Sequence, residues 1–185
     1  MFQTMKRYQI NITSTISEEK LLSGTFIVIF RATKIPPHIS LITEGKLFDI
    51  TTVGPNRDLD ALEIFKTLQK RKEEVIFVEL ENGIEGVNKP AVITEKVNNY
   101  WKVDEEVSCL FPIKDFLEEA YQIEVKQSNF IFELLPLLFD LEMIKSVSQV
   151  NLDKKIINQC FEMRKYNKHD VENCINALRR KEAVC

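Results

Sequence analysis

The stretch PHISLITEGKLFDITT (residues 37–52) decides how this chain folds. It holds two short runs of alternating apolar residues on either side of Glu44-Gly45, the pattern of a β-hairpin closed by a two-residue turn. With Glu44 and Gly45 as the central turn residues, Thr43 pairs with Lys46, Leu41 with Phe48, Ser40 with Asp49 and His38 with Thr51. Side chains alternate across a strand, so Ile39, Leu41, Phe48 and Ile50 share one face, which must meet a core. The other face carries His38, Ser40, Ile42, Leu47, Asp49 and Thr51, with His38 and Asp49 as diagonal neighbours. Two readings compete for that second face. It is a solvated surface on which a His and an Asp happen to meet, or it is the base and orienting carboxylate of a nucleophilic site.

Working outward, YQINITST (8–15) alternates and predicts a strand or extended arm, and SEEKLL (17–22) one helical turn capped by Ser17. After Gly24, the unbroken apolar run TFIVIF (25–30) suits a strand buried on both faces, and VIFVEL (75–80) reads the same way. GPNRD (54–58) reads as a turn. The spacing of Leu59, Leu62, Ile64, Phe65 and Leu68 predicts a helix over 59–74, with Asp58 as its cap. Residues 89–100 fit helix or strand, and PIKDFLEEAY (112–121) predicts a helix opened by Pro112.

From Phe130 onward the pattern is helical. It predicts FIFELLPLLFDLEMIKSV buried and kinked or divided at Pro136, then a hairpin of two helices, the second opened by a capping box of Asn167 and Asp170. The fold expected is α+β: a small antiparallel or mixed sheet flanked by helices over residues 1–128, with a helical C-terminal extension, 129–185, packed on it as one unit.

A net charge of −3, with 44% hydrophobic and 29% charged residues, is that of an ordinary globular chain and offers no basic surface for nucleic acid. No run of apolar residues reaches membrane-spanning length, and the opening residues have no signal-peptide core, which predicts a cytoplasmic protein without an integral membrane segment. Four cysteines without a CxxC pair (Cys109, Cys160, Cys174 and Cys185) predict free thiols rather than a disulfide or zinc framework. No phosphate-loop, dinucleotide, zinc-protease or calcium-loop pattern occurs, so no metal or cofactor is expected.

A thiol just before a helix meets unpaired backbone N–H groups that favour its anion. Cys109, in VSCLFPIKDF, has that placement; a buried structural cysteine is the competing reading. Cys160 and Cys174 fall inside the expected helices and Cys185 at the terminus, while His169 is expected to be exposed and Trp101 to be in the core.

The segment GTFIVIFRATKIPPHISLITEGKLFDI resembles the opening of the circularly permuted papain-like hydrolases and acyltransferases, the permuted NlpC/P60 group that includes the lecithin:retinol acyltransferase type. Gly24, His38, Gly45 and Asp49 match that family's order of glycine-led strand, catalytic His, glycine turn and polar orienting residue, and Cys109 matches its later nucleophile. The resemblance covers roughly residues 22–122. It implies a Cys-dependent amidase, peptidase or acyltransferase acting through a thioester on a peptide, amide or ester. The alternative is a catalytically inactive binding or assembly module on the same scaffold, meeting a protein partner or a second copy through its C-terminal helices.

Overall fold

The structure is a computed structural model and describes residues 7–182. Its main element is a six-stranded antiparallel sheet in the order β5-β4-β3-β2-β6-β7. The strands are β2 (Thr25–Phe30), β3 (His38–Thr43), β4 (Lys46–Ile50), β5 (Pro55–Asp60), β6 (Val75–Leu80) and β7 (Ile144–Val150). β2 is central because its unbroken apolar run can lose water on both faces. Ile27 and Ile29 enter the larger hydrophobic cluster, while Phe26 and Val28 enter a second cluster on the other face.

β3 and β4 pair in the expected register, Leu41 with Phe48 and Thr43 with Lys46. Their turn has φ of +50° at Glu44 and +73° at Gly45, the double positive φ of a type I′ turn, whose twist matches the flanking strands. Ile39, Leu41, Phe48 and Ile50 all lie in the larger cluster, as the register requires. The opposite face is no wet surface: Ser40 and Ile42 are buried, Leu47 joins the second cluster, and Asp49 is 5% exposed.

Helices cover both faces. α1 (Glu18–Ser23), with Ser17 accepting from the Lys20 N–H, and α2 (Ala61–Arg71) lie on the side of the second cluster. α3 (Lys89–Tyr100), α4 (Phe111–Tyr121) and α5 (Ile131–Asp140) bury Ile93, Val97, Phe116 and Leu134 in the larger one.

Several expectations need correction. GPNRD is mostly strand: Pro55 begins β5, an edge strand whose free side needs no N–H from proline, so its polar residues face water. Asp60, not Asp58, caps α2, accepting from Leu62 and Glu63 N–H at 3.0 and 3.1 Å, and Leu59 belongs to β5 and is exposed. Pro136 sits within an unbroken α5.

The largest departure is at the C-terminal end, where the expected helical extension supplies three strands. β7 closes one edge of the main sheet by pairing with β6. Residues 152–166 form no α-helix: after a short 3₁₀ turn (Asp153–Lys155), β8 (Ile156–Ile157) and β9 (Cys160–Arg164) make a hairpin through Asn158 and Gln159, at φ +51° and +61°. β1 (Arg7–Asn11) adds to β9, giving a second sheet of order β1-β9-β8. Two successive left-handed residues stop a helix, and the pairing that fixes β9 comes from the other end of the chain. Of the two helices expected beyond β7, α6 (Lys168–Glu182) forms, opened by the expected reciprocal cap in which Asn167 and Asp170 each accept the other's N–H. The larger cluster includes Leu134, Val147, Phe161 and Met163 beside the sheet residues Ile27 and Leu41, so the core runs continuously past residue 128.

Candidate active site

Three adjacent strands build one polar constellation at an end of the sheet. Asp49 on β4 accepts three hydrogen bonds, each 2.7 Å long: from Ser40 Oγ on β3 and the His38 ring at Oδ2, and from Asn56 Nδ2 on β5 at Oδ1. Asn56 lies directly across from Asp49 because a register shift between Leu47 and Asp49 realigns β5. Burial opposes the Asp49 charge, but the bond to His38, its attraction, and the donors Ser40 and Asn56 hold the carboxyl below its ordinary range.

His38 begins β3, with its ring tilted against Phe30 at 6.0 Å. Nε2 is the nitrogen that meets Asp49, which leaves Nδ1 for another partner. Cys109 lies near enough to the ring to be among the groups that raise the His38 value. Burial works against a charged imidazole, yet the bonds and charges of Asp49 and Cys109 prevail and raise His38 from 6.5 to about 10. An imidazolium beside a sulfur stabilises the anion of that sulfur, the nucleophilic form.

Cys109 reaches this place through local turn chemistry. The Val103 N–H bonds the Thr51 carbonyl at 2.8 Å, pinning the approach loop to the end of β4. Asp104 then accepts from Glu106 and Val107 N–H, both at 2.8 Å, and folds the loop back. Ser108 Oγ accepts from the Leu110 N–H at 3.0 Å, and the Ser108 carbonyl from Phe111 at 3.1 Å. The chain therefore begins to turn four residues before Pro112, and Cys109 lies in that lead-in turn to α4.

The sulfur and the imidazole open onto a cleft of about 820 Å³, walled by the approach loop, the start of α5 and one side of α6. Ile39, Val107, Phe111, Ile131, Ile175 and Leu178 give it a largely apolar lining. Such a lining suits recognition of an apolar group held near one polar centre.

Ser40 and Asn56 have no role in the sequence reading. Ser40 was visible on the His38 and Asp49 face, where its hydroxyl is a ready donor to a carboxylate. Asn56 was hidden by reading its segment as a turn. The remaining candidates lie elsewhere. Cys160 is on β9 rather than in a helix, whereas Cys174 is on α6 and lines the cleft. Cys109, Cys160 and Cys174 are free thiols, and Cys185 is outside the described residues. The His169 side chain is 77% exposed. Trp101 is not in the core: it is 55% exposed, with the Arg57 guanidinium over its ring at 5.7 Å.

Among the described residues no group of three or more His, Cys, Asp or Glu is placed to hold a metal ion, and no helix is long and apolar enough to cross a membrane. Compared with protein families, with curated proteins and with solved structures, the chain finds no match in any of the three.

Proposed function

We propose that this chain is a cysteine-dependent amidase, peptidase or acyltransferase of the permuted papain-like kind, with Cys109 as nucleophile, His38 as base and Asp49 as the residue that orients His38. The observation that carries the reading is the placement of Cys109 and the half-buried His38, which the buried Asp49 braces, at the wall of one apolar cleft. A buried carboxylate with three 2.7 Å donors fixes the ring and favours its proton, which is what a thiol nucleophile needs from its neighbour.

In the reaction so assigned, His38 holds the proton of Cys109 and Sγ attacks the carbonyl carbon of an amide or ester. Collapse of the tetrahedral adduct breaks the bond to the leaving group, which takes the proton from His38 and leaves a thioester on Cys109. Water or a second substrate, deprotonated by His38, then releases the acyl group. A free catalytic thiol of this kind belongs in a reducing compartment such as the cytoplasm.

The test is labelling by an electrophilic activity-based probe, comparing wild type with Cys109→Ser. One adduct lost with Cys109, together with faster iodoacetamide alkylation of Cys109 than of the other thiols near neutral pH and slowing by His38→Ala, supports the assignment. Uniform alkylation of all thiols overturns it and leaves an inactive binding module as the better account.

A further inference from the structure

A cleft that shelters a reacting centre from water needs a wall that can open to admit substrate. We propose that α6 is that wall: a helical lid, anchored at its start and latched near its far end by the ion pair of Arg179 with Glu105, which swings off the cleft to expose Cys109 to large substrates. The motion stands on the packing of α6 alone, and only its purpose rests on the acyl-transfer reading above.

Apolar residues recur along α6 at helical spacing, Val171, Ile175 and Leu178, and all three line the cleft. Ile175 is 3% exposed, yet among the described residues neither hydrophobic cluster of the sheet contains a member of α6. The helix is therefore seated on the cleft and not on the core. Its start is fixed. Tyr166, two residues before it, packs edge-on against Phe130 and Phe132 at 5.2 Å between centroids and rests on the larger cluster, and Asn167 and Asp170 close the first turn. Near the far end, Arg179 Nη1 lies 2.9 Å from Glu105 Oε1, and Glu105 sits on the approach loop to Cys109, another wall of the same cleft.

The two side chains of the latch are 49% and 57% exposed, so water and salt screen the pair and hold it weakly. Opening uncovers the apolar stripe of α6 and the lining beneath it, and an apolar substrate group that enters covers both again. Substrate thereby draws the lid shut over the reacting atoms and excludes water from them. The chain also carries its own reporter of this motion. Cys174 is half-buried on the cleft side of α6, whereas Cys160, half-buried as well, is on β9 and does not line that cleft.

The test follows labelling of the full chain, thiol by thiol in peptide mass spectra, by a neutral poly(ethylene glycol) maleimide too bulky for the closed cleft, with iodoacetamide as the small reagent. Arg179→Glu sets two carboxylates against each other and is expected to speed maleimide labelling of Cys174 and Cys109 together by about fivefold, with Cys160 unchanged. Iodoacetamide labelling of Cys109 in that variant should stay within about twofold of wild type. Adding Glu105→Arg to Arg179→Glu rebuilds the ion pair with reversed polarity and should return both rates to those of wild type. Added salt should speed Cys174 labelling in wild type and slow it in Arg179→Glu, since screening weakens an attraction in one and a repulsion in the other. Cys174 labelling that Arg179→Glu changes by less than about twofold makes α6 a fixed wall and overturns the lid. A rise that the charge swap fails to reverse overturns the latch. An equal rise at Cys160 means general loosening, and a rise at Cys174 without one at Cys109 means that α6 does not guard the sulfur; either overturns the lid. Iodoacetamide that labels Cys109 no faster than Cys160 overturns the acyl-transfer reading, while Cys174 still decides whether α6 opens.

Discussion

Asp49→Asn removes one charge from the centre of the constellation while preserving its shape. The substituted amide oxygen can keep the bonds from His38 and Ser40 at Oδ2, and Asn56, across the strand, can turn its own amide to meet the new NH2 group. The hydrogen-bond count is thus nearly conserved, and the loss is electrostatic. Holding His38 at about 10 instead of 6.5 corresponds to about 5 kcal/mol at 1.36 kcal/mol per pH unit, shared between Asp49 and Cys109. The part due to Asp49 is about 2–4 kcal/mol, within the range for breaking a buried pair.

The sign follows from both partners. The raised value of His38 contributes stability that is fully present below 6.5 and is lost as pH rises through about 10. The lowered value of Asp49 contributes stability present above 3.8 and lost as pH falls through its depressed value. The difference between wild type and Asp49→Asn in urea unfolding should therefore be widest from pH 3.8 to 6.5, remain large at 7 and fade by about 10. The chain has only two histidines, so proton NMR gives two ring signals, with the exposed His169 as the internal control. His38 should titrate near 10 in wild type and well below that in Asp49→Asn. A wild-type His38 that titrates near 6.5, or a variant that costs less than about 1 kcal/mol at pH 6, refutes this pairing energy.

Two further perturbations separate the scaffold from the site. Gly45→Ala puts a side chain on a residue at φ +73°, 3.2 Å from Leu22 Cδ2, and should cost about 1–2 kcal/mol in urea unfolding, with the Cys109 alkylation rate unchanged in the folded protein. Phe77→Ala empties a position 1% exposed, where the ring meets Phe26 and Phe65 edge-on at 6.4 and 6.2 Å, on the face of the sheet away from the larger cluster. It should cost about 3–5 kcal/mol, again without altering His38 titration; a shifted His38 would mean that packing two strands away on the same face of the sheet reaches the site.

The sequence by itself determined what is set by neighbours along the chain. The hairpin register follows from Glu44-Gly45 and strict alternation, so the core face of Ile39, Leu41, Phe48 and Ile50 was legible, as was the approach of His38 to Asp49. The unbroken apolar runs gave β2 and β6, and the Asn167–Asp170 cap gave the start of α6. Local signals failed wherever a distant partner decides. IKSVSQV becomes a strand because β6 offers it an edge, and Cys160–Arg164 becomes one because Arg7–Asn11 pairs with it from the far end of the chain. The polar PNRD segment looks like a turn until β4 supplies its hydrogen bonds and brings Asn56 opposite Asp49. Whether the second hairpin face is wet was likewise a tertiary matter, since water leaves it only when α1 and α2 pack there. The nearness of Cys109 to His38 is tertiary as well: the Val103-to-Thr51 backbone bond joins segments fifty residues apart, and no periodicity in either segment encodes it.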